Sequence, residues 1–209
     1  MNRIGRGRSA RDAHAPWLPR RAAAVAMAIG ATLPVAGCGV FGSGAGVQAP
    51  ALMTVNSSAF IQNTMPATYT CGADGKEINP PLGWAGAPPG TKSLALVIDD
   101  SDAPITPFVY WIVFDINPAT SEIIEGQLPP GARQARNSMG AAAYDPPCPG
   151  PHGHEYRFTV YALNKVLNLP TGTSLESAWT AIAAATIGRG RLTANATTLA
   201  TAVAVTPTT

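Results

Sequence analysis

The stretch DPPCPGPHGHEY, residues 145–156, crowds two histidines, His152 and His154, with Cys148 and Asp145 among prolines and glycines. Those residue types admit three chemistries. Zinc takes three or four Cys, His or carboxylate ligands, and all four candidates are local here. A cysteine near a histidine can serve as a thiolate nucleophile if an oxyanion donor set faces it. The third reading is a stiff wall for a ligand pocket, because Pro147, Pro149 and Pro151 resist wrapping around an ion. A second cluster, Asp100-Ser101-Asp102-Ala103-Pro104, sets two acids directly after an apolar run. Such acids commonly make turns by accepting from backbone amides two residues on, and only a carboxylate facing a cavity has a binding role. Likewise, a loop histidine is most simply exposed or satisfied within its own turn.

These residues need elements to position them. The apolar runs are short and β-rich: residues 93–98 (SLALVI), 108–116 (FVYWIVFDI) and 156–163 (YRFTVYAL) read as strands. The second is apolar enough to be central and covered on both faces. Gly/Pro breakers at 87–90 and 129–131 separate them. One helix is predicted, with Thr173 as N-cap, Glu176 completing a capping box, and Leu175, Trp179, Ile182 and Thr186 on its apolar face. Gly188 and Gly190 are expected to end it, leaving 191–193 for a last edge strand. The fold class is therefore mostly β, an antiparallel sandwich with few peripheral helices rather than a doubly wound sheet.

The N-terminus speaks to the compartment. Six arginines and one acid, Asp12, fall in residues 1–37, followed within that segment by an alanine-rich apolar stretch at 22–35. That stretch is too short for a permanent membrane span and reads as a signal-peptide core. It runs into Val35-Ala36-Gly37-Cys38, which resembles the bacterial lipobox, where the cysteine carries diacylglycerol. Each buried acyl CH₂ contributes about 0.8 kcal/mol, so Cys38 is the expected lipidation site and the cell membrane the expected location, on its extracytoplasmic face. The whole chain has 14 basic and 12 acidic residues; without residues 1–37 these become 8 and 11. A net-acidic mature chain removes support for a nucleic-acid partner. The expected organisation is a signal peptide at 1–37, a tether at 38–51, one domain at 52–194 and a Thr/Ala-rich tail at 195–209. Outside the cytoplasm, Cys71 and Cys148 make a disulfide plausible, subject to their Cα separation.

Several segments together resemble the phosphatidylethanolamine-binding proteins, in their bacterial Raf-kinase-inhibitor-like branch. They are Tyr69-Thr70-Cys71, residues 78–84 (INPPLGW), 86–93 (GAPPGTKS), 100–104 (DSDAP), Trp111-Ile112-Val113, Asn137-Ser138-Met139-Gly140, and Pro147-Cys148-Pro149 leading to His154-Glu155-Tyr156. Their order and spacing agree from about residue 55 to 194. The resemblance implies a larger antiparallel sheet against a smaller one, with a small anion pocket at one end. Carried over by position, Asp100, His154 and Tyr156 line that pocket, and 147–150 form part of its wall. With Asp102, Pro104, Tyr110, Pro147 and Gly150, these are the expected ligand-binding residues. His152 has no such counterpart and reads as a loop residue. The family typically has a second pocket histidine where this chain has Tyr110, and proline where it has Ser101. A phenol donates one hydrogen bond but carries no positive charge, so weaker anion affinity is expected, with a zwitterion, a neutral ligand or a peptide segment as alternatives. Glu155, which stands where the family has arginine, should point outward by strand alternation.

The leading expectation is a non-enzymatic, membrane-tethered binding protein for small anionic or phospholipid head groups, with no cofactor, no metal and no catalytic residue. A second reading is an inhibitor or interaction protein acting on an envelope partner such as a protease. A third, weaker one is a hydrolase or metalloenzyme built on His154 and the acids.

Overall fold

A computed structural model describes residues 50–72, 75–103, 106–150 and 152–196. The signal-peptide stretch, Cys38, Pro104 and residues 197–209 lie outside them. The described chain begins with two short strands, β1 (Ala51–Leu52) and β2 (Thr54–Asn56), followed by β3 (Leu82–Ala85). The long apolar runs become β4 (Ser93–Asp100), β5 (Phe108–Ile116) and, after the short β6 (Glu122–Ile123) and β7 (Arg133–Gln134), β8 (His154–Leu163). Helix α1 (Leu175–Ala185) runs directly into β9 (Thr186–Ala196).

These strands make two sheets. The larger has six strands in the order β1-β9-β8-β4-β5-β7, and the smaller has three, β2-β3-β6. All pairings are antiparallel except β1 with β9. On β4 and β8 successive side chains alternate between two cores. Leu94, Leu96 and Ile98 with Phe158 and Val160 pack against Leu82, Trp84 and Ile123 of the smaller sheet. Ala95, Val97, Tyr161 and Leu163 face the other way and are covered by Ala178, Ile182 and Ala185 of α1. Burial on both faces is why β5 reads as an unbroken apolar run.

The structure corrects the sequence reading around the helix. Ser174, not Thr173, is the N-cap, and its Oγ accepts from the Ser177 N–H at 3.2 Å. With the cap one residue on, Glu176 completes no box, and the Thr173 N–H that a box would have engaged donates to the Pro170 carbonyl. The buried stripe is Ala178, Ile182 and Ala185, which lets the helix lie close on the sheet. Trp179, expected in the core, stays 45% exposed.

Gly188 and Gly190 do not end α1; both lie inside β9. Their role is close approach. A Cβ on Gly190 would sit 2.5 Å from the Met53 carbonyl oxygen, and one on Gly188 would sit 2.8 Å from Pro88 Cδ. The last strand is thus eleven residues rather than three, and β1 lies beyond it. Among the described residues regular structure runs from Ala51 to Ala196.

Cys71 and Cys148, 77 positions apart in sequence, are joined by a disulfide with Cα atoms 5.1 Å apart. The Cys71 N–H also donates to the Pro147 carbonyl at 3.0 Å. Closing so long a loop should contribute about 2–4 kcal/mol. Reducing the protein, or replacing both cysteines with serine, is therefore expected to lower the melting temperature by about 10 °C in a thermal scan. An unchanged melting temperature would remove the bridge from the account of stability.

Candidate functional site

The site forms where three strands end together. Asp100 closes β4, and its register partners are Tyr156 on β8 and Phe108 on β5. Side chains repeat every second residue along a strand, so His154 lies on the same face as Tyr156, beside Asp100. His154 Nδ1 lies 2.8 Å from Asp100 Oδ2. A carboxylate only accepts, so the ring donates from Nδ1 and leaves Nε2 directed away from Asp100. The other Asp100 oxygen accepts from the Asp102 N–H at 2.7 Å, an Asx turn that orients the carboxylate.

Tyr110 reaches this cluster through a bulge. Ile98 pairs with Trp111 but Asp99 pairs with Val109, which leaves Tyr110 as the extra residue on β5. A bulge re-aims a side chain, and here Tyr110 and Trp111 both enter the core between the sheets. Aromatic contacts then link the group. The Tyr110 ring meets Tyr156 edge-on at 5.6 Å, and His154 stacks on Tyr156 at 6.2 Å. Exposure falls steadily inward, from 34% for the His154 side chain to 0% for Tyr156.

The floor of the cluster holds an unmet group. Tyr156 Oη is buried and makes no hydrogen bond to any described residue. The Tyr110 hydroxyl is near enough to act as a hydrogen-bonding neighbour, lowering the pKa of Tyr110 and raising that of Tyr156, although the pair falls outside good hydrogen-bond geometry. Leaving a buried hydroxyl unpaired costs about 1–3 kcal/mol, so an ordered water or a bound group is the expected partner at this position. Both phenols stay protonated. Burial first, then the charges of Asp100 and Asp145, push Tyr110 up to about 12. Burial, then Tyr110 and Asp100, push Tyr156 upward as well.

The comparisons with known proteins bear on this arrangement. Residues 55–197 match the family model described as phosphatidylethanolamine-binding protein. The chain belongs to that family. A UPF0098 protein of Methanothermobacter thermautotrophicus is 39% identical over 146 residues, covering 67% of this chain and 95% of that one. A Mycobacterium tuberculosis protein named as a lipoprotein, LppC, is 40% identical over 143 residues, covering 67% of this chain and 70% of its own. Among solved structures, YbcL of Escherichia coli, described as a member of the mammalian PEBP family, superposes with a TM-score of 0.63 at 26% identity, over 69% of this chain and 98% of that one. CT736 of Chlamydia trachomatis, described as a homolog of the same family, gives 0.62 at 33%, over 69% and 96%.

Within that family framework, the structure gathers four of the expected residues, Asp100, His154, Tyr156 and Tyr110, into one cluster. Asp102 serves the turn instead: it is exposed, and its Oδ2 accepts from the Glu155 N–H at 2.8 Å. The turn is tied further to β8 by Ser101, which donates through its N–H and its Oγ to the Glu155 carbonyl. Pro147 is buried and Gly150 half-buried, in a loop that spans the cluster. The loop starts where the Asp145 N–H donates to the Tyr110 carbonyl and ends in a turn from Gly150 to Gly153, just before His154. His152 is exposed. Among the described residues no three His, Cys or acidic side chains gather as a metal site, and the Cys148 sulfur is engaged with Cys71 rather than free.

Two contributors were missed in the sequence reading. Asn137 is buried and fixes the bulge, since its amide donates to the carbonyls of Tyr110 and Ala143 while its oxygen accepts from the Met139 and Ala141 N–H groups. Next to it, Ser138 Oγ accepts from the Val109 N–H at 2.9 Å. The Asn-Ser-Met-Gly run signalled this region, but not that it holds β5. Tyr144 is the other. It packs edge-on against Trp111 at 5.7 Å and donates its hydroxyl to the Tyr69 carbonyl.

All five tyrosines have their ionisation pushed above the ordinary 10.0, with burial the largest cause in each. The folded state therefore holds phenol protons that the unfolded state releases above pH 10, and stability falls as pH rises past that point. In an alkaline titration, phenolate absorbance is expected to appear together with loss of the far-ultraviolet strand signal. Gradual ionisation of a still-folded protein around pH 10 would contradict the burial of these rings.

Proposed function

We propose that this protein is a non-enzymatic binding protein, held to the extracytoplasmic face of the cell membrane by a lipid on Cys38, that takes a small phosphate-bearing head group at the Asp100–His154–Tyr156–Tyr110 cluster. The buried, unpartnered Tyr156 hydroxyl carries this reading. It supplies a neutral donor at the floor, Tyr110 a second beside it, and His154 Nε2 a third position at the rim. Asp100, with Asp145 near Tyr110, gives the cluster negative character. Phosphate joined to an ammonium group, as in phosphorylethanolamine, suits that mixture better than a bare dianion, because Tyr110 brings a hydroxyl where an imidazole would bring charge.

The state of Cys148 and of the two cluster phenols favours binding over nucleophilic catalysis at this cluster. Cys148 is in a disulfide, and both cluster phenols are pushed away from the phenolate form. For the tether, the lipobox-like Val35-Ala36-Gly37-Cys38 and the lipoprotein name of the LppC relative point the same way.

Calorimetry on the protein purified from membranes in detergent tests the reading, with phosphorylethanolamine and inorganic phosphate as ligands. Phosphorylethanolamine is expected to bind more tightly. Tyr156→Phe should weaken it by about ten-fold, and His154→Ala by more. Tyr110→His is expected to shift preference toward inorganic phosphate by adding a second imidazole. Lack of binding by either ligand would sink the head-group reading and leave a protein partner as the better candidate. Mass spectrometry of the N-terminal peptide decides the lipid on Cys38 separately.

A further inference from the structure

The larger sheet has a second face, and the alternation that sends Asp100 and Tyr156 one way sends Asp99 and Arg157 the other. On β8 and β9 the register opposes Tyr161 to Arg189, Thr159 to Arg191, and Arg157 to Thr193. Gly188 and Gly190 face the backbone of Met53 and the ring of Pro88, where no side chain fits. The arginines between and after them therefore emerge on the opposite face, toward α1. There they border a groove of about 400 Å³, which lies within the range of small-molecule sites.

The groove has a definite chemical layout. Val97 and Val109 form an apolar floor, and Leu175 and Trp179 of α1 form one wall. Trp179 is 45% exposed and meets Tyr161 edge-on at 5.9 Å, so its indole is held in place yet open to a ligand. Arg189 and Arg191 form the facing wall, and Arg157 closes one end in an ion pair with Asp99. Three guanidiniums thus share one carboxylate. Among the described residues Asp99 pairs only with Arg157, and neither Arg189 nor Arg191 has an ion pair. Arg191 is oriented by a 3.0 Å hydrogen bond from its Nε to Thr159 Oγ1, which leaves its terminal amino groups directed elsewhere. Residues two apart on a strand rise about 7 Å, a spacing at which two guanidiniums can bracket one oxyanion.

We propose that this groove is a second ligand site, separate from the His154 cluster, for a small organic anion with a flat aromatic body. The oxyanion would be held by Arg189 and Arg191, and the aromatic part would lie along Trp179 over the valine floor. Net positive charge beside an open indole selects such a ligand over either inorganic phosphate or a neutral aromatic alone. The proposal does not rest on the head-group reading, since the two sites occupy opposite faces of the sheet.

The test uses 1-naphthyl phosphate as probe, titrated into the detergent-purified full protein by fluorescence anisotropy. Saturable binding is expected, with inorganic phosphate and 1-naphthol each at least about ten-fold weaker. Arg189→Gln/Arg191→Gln should weaken the probe by about ten-fold or more. Because both side chains are exposed, the melting temperature should stay unchanged. Arg189→Lys/Arg191→Lys keeps the charge and should retain part of the affinity, which guards against a merely misfolded variant. Two results overturn the proposal: no saturation by about 10 mM, or a Gln pair that binds the probe as tightly as the parent.

Discussion

Everything in this molecule depends on the register between β4 and β8. Their ladder runs unbroken from Ser93 opposite Leu163 to Asp100 opposite Tyr156. A side-chain period of two then assigns each residue to a face. Asp100, His154 and Tyr156 meet on the side of the smaller sheet, while Asp99 and Arg157 meet on the side of α1. A slip of one residue would exchange the faces, burying Arg157 where Tyr156 now sits and exposing Phe158. Such a slip is prevented by the apolar residues themselves, because Leu94, Leu96, Ile98, Phe158 and Val160 must all reach the same core.

On that frame, the site is finished by parts that come from far apart in the chain. The β5 bulge aims Tyr110 inward, and the Asn137 amide donates to the Tyr110 carbonyl at the bulge. The loop from Asp145 is tied to Tyr110 at one end and, through Pro147 and the disulfide, to the segment at Cys71. The result is a polar cluster in which, among the described residues, the Tyr156 hydroxyl is left without a partner.

The glycine pair in β9 shows how one packing constraint creates a feature elsewhere. The Met53 backbone crosses so close to position 190, and the Pro88 ring to position 188, that only hydrogen fits, so both are glycine. Pleating then turns Arg189 and Arg191 onto the α1 side, where Trp179 waits exposed because the helix packs through its alanines. A basic, aromatic groove follows from two close approaches, one on each side of the strand.

Much of this was legible in the residues alone. Strands β4, β5 and β8 follow from β-branched and aromatic runs long enough to be covered on both faces, and the mostly-β class follows from them. The motif positions Asp100, His154 and Tyr156 carried the resemblance to the family and came together in one cluster. Local chemistry is what made these features readable, since strand propensity, turn residues and motif spacing are all written within a few positions. Other features needed the tertiary structure. The helix cap sits at Ser174, while Thr173 belongs to a turn in which its N–H donates to the Pro170 carbonyl. Gly188 and Gly190 read as helix stops, since nothing near them in sequence reveals Met53 and Pro88 as neighbours. Whether Cys71 and Cys148 could bond turned on a Cα separation of 5.1 Å, and the unmet hydroxyl of Tyr156 turned on which atoms surround it. Residue types set what each position can do, and contacts between distant segments decided which of those capacities the fold itself uses.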